Sequence, residues 1–196
     1  MDTTLQELKR ELARFGDEND AAHAERGRRM LNITPDTGEL LAVLVRATGA
    51  RRVLEIGTSN GYSTLWLAEA AAAIGGRVTT LEFAADKVQA AQANFARSGL
   101  AEHVALVHTE AGAWLDAAAP ASADLVFLDS DRHRYLDWWP SLRRVLRPGG
   151  LLVVDNAISH AAQMAGFEAA LRADPAFTCS LLPVGKGELL AVRGDD

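Results

Sequence analysis

The feature that most constrains this chain is a rhythm that begins near Arg51. Short runs of β-favouring residues alternate with stretches of helical character. The runs are RVLEIG, RVTTLEF, HVALVHT, ADLVFLD and GLLVVDN, and the helical stretches between them cover 64–73, 84–98, 112–118 and 135–146. Each run is apolar on both faces, which is the pattern of a strand covered by helices on either side. Strand and helix repeated in this way predict a parallel α/β sheet with right-handed crossovers. A further helix is expected over 161–172, stopped at Asp174-Pro175. Two last strand runs follow, 177–182 and 188–192, with only Pro183 to Gly187 between them. So short a gap predicts a hairpin and an antiparallel edge to the sheet.

The N-terminal part reads differently. Leu5, Leu8, Leu12 and Phe15 recur at three- and four-residue steps, one apolar stripe on a helix, and the stretch after them is strongly polar. We read residues 1–29 as a helical cap on a core of 30–196, the whole forming one domain over 1–196. A better helix begins at Pro35, with Thr34 as its N-cap; Leu40, Leu41, Leu44 and Val45 form its buried face and Gly49 ends it.

Composition narrows the function. The formal net charge of −6 argues against a main role on nucleic acid or an anionic membrane surface. The single Cys179 cannot form an internal disulfide and reads as a small core residue. No segment approaches the roughly 20 apolar residues of a membrane helix, and the N-terminus lacks an apolar signal core. The expected location is the cytoplasm.

Ligands of open α/β sheets bind beyond the carboxyl ends of the strands. At the first such end, LEIGTSNGYSTLWLA, Gly57 and Gly61 bracket a turn into a helix that Ser59 or Asn60 caps. Glycine lets the backbone approach a ligand closely. The dinucleotide fingerprint G-x-G-x-x-G is not matched, because position 59 is Ser. Glu55, just before the turn, suits a ligand with a positive group better than a pyrophosphate. These two features weigh against a nicotinamide-dependent oxidoreductase. At the second end, Glu82 lies 21 residues beyond Gly61, where an acid commonly binds the hydroxyls of a ribose.

Together, LEIGTSNGYSTLWLA and TTLEF resemble the S-adenosylmethionine site of Rossmann-like methyltransferases. The G-T-x-x-G-Y-S-T form is particularly similar to the small O-methyltransferases related to the catechol and caffeoyl-coenzyme A enzymes. The resemblance runs from about Met30 to Val192. It implies a seven-stranded, mostly parallel sheet with helices on both faces and an antiparallel last strand. It implies that Glu55 and Ser63 hold the methionine end of the cofactor, with Gly57, Thr58 and Gly61 in the turn, Ile33 packed nearby and Glu82 on the ribose. Phe83, Glu110 and Ala111 fall in the adenine region, and Thr109 stands where similar proteins usually carry Gly.

The fourth and fifth strand ends read FLDSDRHRY and VVDNA. They place Asp129, Asp131, Asp155 and Asn156 at neighbouring positions. Adjacent acids repel unless a cation neutralises them. Two carboxylates and an amide oxygen suit a hard cation, Mg²⁺ in the first place and Ca²⁺ or Mn²⁺ as alternatives. Asp155-Asn156 could instead cap the next helix, and Asp131 could be a solvated loop acid. The resemblance favours Asp129, Asp155 and Asn156 as metal ligands. It also exposes a departure: D-x-x-K of similar enzymes is D-x-x-R here, and Arg132 stays protonated and cannot act as a base. It could hold a phenolate or a carboxylate. The hydroxyl proton would then leave through the metal-bound state, His133 or His160. Tyr135, Trp138 and Trp139 either stack on an aromatic substrate or pack into the core.

The resulting expectation is methyl transfer from S-adenosylmethionine to a hydroxyl of a small, hydroxylated aromatic acceptor, assisted by a divalent cation, in a homodimer. A metal-independent methyltransferase and a non-catalytic cofactor-binding module are the other readings.

Overall fold

The computed structural model describes residues 3–194; Met1, Asp2, Asp195 and Asp196, the ends of the domain expected over 1–196, lie outside the described residues. The chain runs α1 (Thr3–Ala22), α2 (Pro35–Thr48), β1 (Arg52–Ile56), α3 (Tyr62–Ala72), β2 (Arg77–Glu82), α4 (Ala85–Ser98), β3 (Val104–His108) and α5 (Ala111–Ala117). It continues through β4 (Ala123–Leu128), α6 (Tyr135–Val145), β5 (Leu146–Val154), α7 (Ala161–Ala173), β6 (Phe177–Leu182) and β7 (Glu188–Arg193). The seven strands form one sheet in the order β3-β2-β1-β4-β5-β7-β6. All neighbouring pairs from β3 to β5 are parallel, and β7 is antiparallel to both β5 and β6. This is the Rossmann-like methyltransferase fold expected from the sequence. One detail differs. The antiparallel strand is not an edge: β7 lies inside the sheet and β6 is the outer strand. Hairpin length sets the pairing of β6 with β7, but not which of the two meets β5.

Strand period divides the core between the two faces. In β4, Val126 and Leu128 join a cluster with α5, α6 and α7, while Leu125 and Phe127 join another with α1 to α4. β5 repeats the division, with Leu152 and Val154 on one side and Leu151 and Val153 on the other. Among the described residues no helix is long and apolar enough to cross a membrane.

The N-terminal helix follows the expected stripe through Leu5, Leu8 and Leu12, all buried, but Phe15 is exposed. Asn32 explains the change. Its amide donates to the Leu12 carbonyl at 2.9 Å and packs against Gly16, so the returning segment covers Gly16 and leaves Phe15 outside. Lys9 is buried as well, its ammonium 3.7 Å from the Trp66 ring and 2.5 Å from Glu69. In α2, Leu41 and Val45 are buried, while Leu40 and Leu44 are half-buried. Thr34 has N-cap geometry, but its hydroxyl turns to Thr37 rather than to the helix backbone.

Parallel pairing brings consecutive strand ends to one edge. Gly57 N donates to Leu81 O at 3.0 Å, Asp129 N to Ile56 O at 3.1 Å and Asp155 N to Leu128 O at 3.2 Å. The residues that follow β1, β2, β4 and β5 are therefore neighbours by backbone geometry alone.

Candidate active site

The turn after β1 is held on every side. Gly57 has φ of 104°, and a Cβ there would run into the Asp129 carbonyl. Only glycine fits so close an approach of two strand ends. Ser59 adopts φ of 49°, a left-handed conformation unusual for a side chain. Its hydroxyl donates to Met30 O at 2.7 Å and its N–H to Glu82 Oε2 at 2.8 Å. Gly61, with φ of 85°, is fixed by the Phe95 ring, which stands 2.6 Å from where a Cβ would be. Its place is set by helix packing. Asn60, rather than Ser59, supports the helix start, accepting from Tyr62 N at 3.2 Å.

Two cavities open at this edge. The larger, about 530 Å³, has Ile33, Gly57, Thr58, Ser63, Glu82, Asp129, Arg132, Asn156 and His160 in its wall. The smaller, about 330 Å³, is lined by Phe83, Thr109, Glu110, Ala111 and Trp138, and shares Gly57 and Glu82 with the first. Glu82 thus stands on the common wall. Its Oε1 accepts from the N–H groups of Phe83 and Ala84, each at 2.9 Å, and Oε2 from Ser59. Glu110 caps α5 by accepting from Ala113 N at 2.8 Å. Phe83 is 73% exposed, a side chain with no core role to explain it.

Glu55 is fully buried and lines neither cavity. It accepts hydrogen bonds from Ser63 Oγ at 2.6 Å, from Thr80 Oγ1 at 2.6 Å and from Thr64 Oγ1. Burial pushes its carboxyl up to about 7 against the pull of these hydroxyls. Of the pair expected at the methionine end, only Ser63 faces the cavity, and Glu55 orients it from behind.

Asp129 and Asn156 of the carboxylate cluster border the larger cavity, and Asp155 lies behind them. Asn156, buried and left-handed at φ of 65°, donates from Nδ2 to Asp155 Oδ2 at 2.5 Å and to Asp129 Oδ1 at 3.3 Å. Burial, and then repulsion by Asp155, raises the Asp129 carboxyl well above the usual range, while Arg132 pulls it down. Arg132 is 6% exposed, and its Nε and Nη1 have no hydrogen-bond partner. Asp131 serves the local turn, accepting from His133 N at 3.2 Å. His160 pairs through Nδ1 with Ser159 Oγ at 2.8 Å. Burial, then the charges of Arg132, Arg26 and Lys186, lower its pKa.

The aromatic residues of α6 do not reach the larger cavity. Tyr135 is wholly buried and its hydroxyl oxygen accepts from Ser130 N at 2.7 Å. Trp139 packs edge-on against Phe167 and Phe177. Trp138 borders the smaller cavity with its Nε1 unpaired.

Three site residues escape a reading of the sequence. Glu188, at the start of β7, is completely buried; its Oε1 accepts from Thr37 Oγ1 at 2.9 Å and its Oε2 has no donor. Burial and the neighbouring Asp155 push its carboxyl far up. The one available signal was an acid opening an otherwise apolar strand. Arg26 and Lys186, on the cavity wall, lie in segments that read as a polar loop and a hairpin turn.

Two acidic side chains and an amide within reach of both suit a hard cation in type, but it is the Asn156 Nδ2 that contacts the acids, so the amide would have to turn to offer its oxygen. Among the described residues no three His, Cys, Asp or Glu side chains form a metal-holding group, so the third donor would be the Asn156 amide.

Comparison with known proteins finds relatives over most of the chain. A family profile described as O-methyltransferase matches residues 5–194. A catechol O-methyltransferase of Mycobacterium tuberculosis is 39% identical over 143 residues, 71% of this chain and 61% of the relative. One from Niastella koreensis is 35% identical over 138 residues, 69% of this chain and 62% of the relative. The matched part thus spans about three fifths of these curated relatives. The crystal structure of an O-methyltransferase from Bacillus cereus in complex with SAH superposes with a TM-score of 0.78 at 28% identity, covering 98% of this chain and 91% of that one.

Proposed function

The chain belongs to the O-methyltransferase family, and on that footing we propose that it transfers a methyl group from S-adenosylmethionine to a hydroxyl of a small, catechol-like aromatic acceptor. The observation that carries the reading is Glu82: a carboxylate fixed by three backbone N–H groups on the wall common to two cavities. A carboxylate so fixed is ready to accept from two ribose hydroxyls, with the base in one cavity and the amino-acid end in the other. In this reading Ile33, Gly57, Thr58 and Ser63 surround the methionine end, Glu55 holds Ser63, Gly61 sets the helix, and Phe83, Glu110 and Ala111 border the adenine.

Asp129, Asp155 and Asn156 would hold a divalent cation, Mg²⁺ in the first place. When bound, the methyl donor supplies a carbon on a positive sulfur, and the cation makes a hydroxyl beside it easier to deprotonate. Transfer breaks the bond from sulfur to carbon, forms one from carbon to the acceptor oxygen, and requires the hydroxyl proton to leave. Arg132 cannot take it. Asp129 bridges the two halves of the site. The reading also takes the chain as one domain over 1–196 that acts as a cytoplasmic homodimer; light scattering tests the dimer.

Calorimetric titration with S-adenosylmethionine, with and without Mg²⁺, tests the core of this reading, alongside methylation of catechol. Binding heat and a methylated product are expected. No heat at millimolar donor would overturn it.

A further inference from the structure

The wall of the larger cavity carries a concentration of positive charge that an acidic protein does not need for solubility. Arg132 follows β4, Lys186 sits in the turn between β6 and β7, and Arg26 lies between α1 and α2; all three border the cavity. The same wall carries His160. Among the described residues none of the three has a carboxylate at ion-pair distance. Arg132 is the sharpest case. The residue is more than nine-tenths buried, and its Nε and Nη1 have no hydrogen-bond partner among the described residues. Both nitrogens are closed to solvent, so a ligand would meet Arg132 through the part of it that lines the cavity, where its charge acts at close range.

The cluster is built by the fold. The Lys186 carbonyl accepts from Ser159 N at 3.0 Å and from Ile158 N at 3.3 Å, which fixes the turn to the loop carrying His160. Gly185 N donates to Asp36 Oδ2 at 3.0 Å, which fixes the same turn to α2. Arg26 is placed by the segment behind it, where Met30 N donates to Asp20 Oδ1 at 2.7 Å. The neighbouring acids, Asp129 and Asp155, belong to the candidate cation set. Of the other acids on the wall, Glu82 is held by three backbone N–H groups and Asp131 by His133 N, and neither lies at ion-pair distance from Arg132.

We propose that Arg132, Lys186 and Arg26 form a carboxylate-binding subsite, so that the acceptor is an aromatic acid bearing the hydroxyl to be methylated. The proposal rests on the methyl-transfer reading above. It places the carboxylate on the side of the cavity built by β4, β5 and the β6–β7 turn. Ser59, Ser63 and Glu82, which border the proposed donor, follow β1 and β2. An arginine in place of a lysine exchanges a proton-transfer group for a fixed planar donor matched to a carboxylate. The same charges could instead meet the carboxylate of the methyl donor, and the test separates the two.

The experiment compares a dihydroxybenzoate with adjacent hydroxyls against the matching dihydroxybenzamide, in which a neutral amide of nearly the same shape replaces the carboxylate. With Mg²⁺ and S-adenosylmethionine, KM for the acid should be about tenfold or more below that for the amide, as expected for a charge-assisted contact. Calorimetry of the same two compounds on the protein with S-adenosylhomocysteine and Mg²⁺ should give the same ranking without turnover. Lys186→Met and Arg26→Ala, both at exposed positions, should each shrink the ratio, and together shrink it further, the remainder being the part Arg132 supplies. Equal KM for acid and amide overturns the subsite while leaving methyl transfer standing. Variants that weaken S-adenosylhomocysteine itself by a similar factor also overturn it, because the charges then hold the donor. If neither compound is methylated and S-adenosylhomocysteine gives no heat, the underlying reading fails first.

Discussion

Thr37 and Glu188 are 151 residues apart, and the Thr37 hydroxyl donates to Glu188 Oε1 at 2.9 Å in the buried interior. This bond joins the start of α2 to the start of β7 beneath the carboxylate cluster. Burial and Asp155 keep the Glu188 acid protonated in the fold. Glu188→Gln, which imitates that form, should leave the melting temperature at pH 7 nearly unchanged. Thr37→Val removes the one donor to a buried oxygen found among the described residues and should cost about 1–3 kcal/mol. Thermal melts of the two variants check the contrast; equal losses would contradict it.

Removal of divalent cations tests the pairing of Asp129 with Asp155. Methyl transfer to catechol should fall by at least ~100-fold in EDTA, the scale set by loss of an electrostatic stabiliser. Added Mg²⁺ should restore it. Activity unchanged in EDTA would leave Asn156 as the only group between the two acids.

Asp155→Ala separates acceptor chemistry from donor binding. Asp155 does not border the larger cavity but contacts Asn156. The variant should lose turnover by ~100-fold or more and bind S-adenosylhomocysteine about as well as the native chain. Loss of both, read by initial rates and calorimetry, would make the residue structural.

Glu55 gives a pH dependence with a definite sign. Its carboxyl is raised from 4.5 to about 7 by burial, so the folded protein holds a proton that the unfolded chain has released. Stability from this group is therefore full below about pH 4.5 and falls as pH rises to about 7. The loss is on the order of 3 kcal/mol. Glu55→Gln should lack this component. The difference between native and variant stabilities, measured by urea unfolding from pH 4.5 to 8, should drift against the native chain. A flat difference would show that the three hydroxyls hold the charge as well as water does.

Lys9 tests the docking of the N-terminal helix. Its ammonium is buried over Trp66 and depends on Glu69, which remains about a third exposed. Glu69→Ala strands the buried charge and should cost about 2 kcal/mol, discounted for the exposure of the acid. For a chain of this size that corresponds to about 4–8 °C in Tm. Lys9→Met should cost less, since the methylene stem already packs as an apolar group.

The strand runs were legible because β4 and β5 are buried on both faces, which leaves an unbroken apolar signature in the residues themselves. The strand ends were legible for a related reason: parallel pairing puts Gly57, Asp129 and Asp155 at one edge once the order of elements is known. What stayed hidden depends on contacts distant in sequence. Phe15 continues the stripe of Leu5, Leu8 and Leu12, and only the return of Asn32 decides that Gly16 is covered instead. Arg26 and Lys186 look like solvated turn residues until the fold puts both on the cavity wall, Lys186 through backbone bonds to the loop before His160. Glu188 resembles a surface acid until β7 is seen to lie inside the sheet. Glu55 was visible as an acid beside the glycine turn, but its direction was not, because three hydroxyls from two other elements draw it away from the cavity.

The interior place of β7 has a consequence for how the molecule is made. The order β3-β2-β1-β4-β5 can form as soon as those strands have left the ribosome, yet the outer edge of β5 then lacks its partner. That edge carries Leu151 to Val154, an apolar segment open to pairing with any passing strand. It stays uncovered until β7 emerges, about forty residues and on the order of seconds later at ordinary rates of synthesis. The nascent chain is thus most exposed to misassembly just before its own sheet is finished. Glu188 arrives on the strand that ends this interval, so closure of the sheet and completion of the acid cluster are a single event.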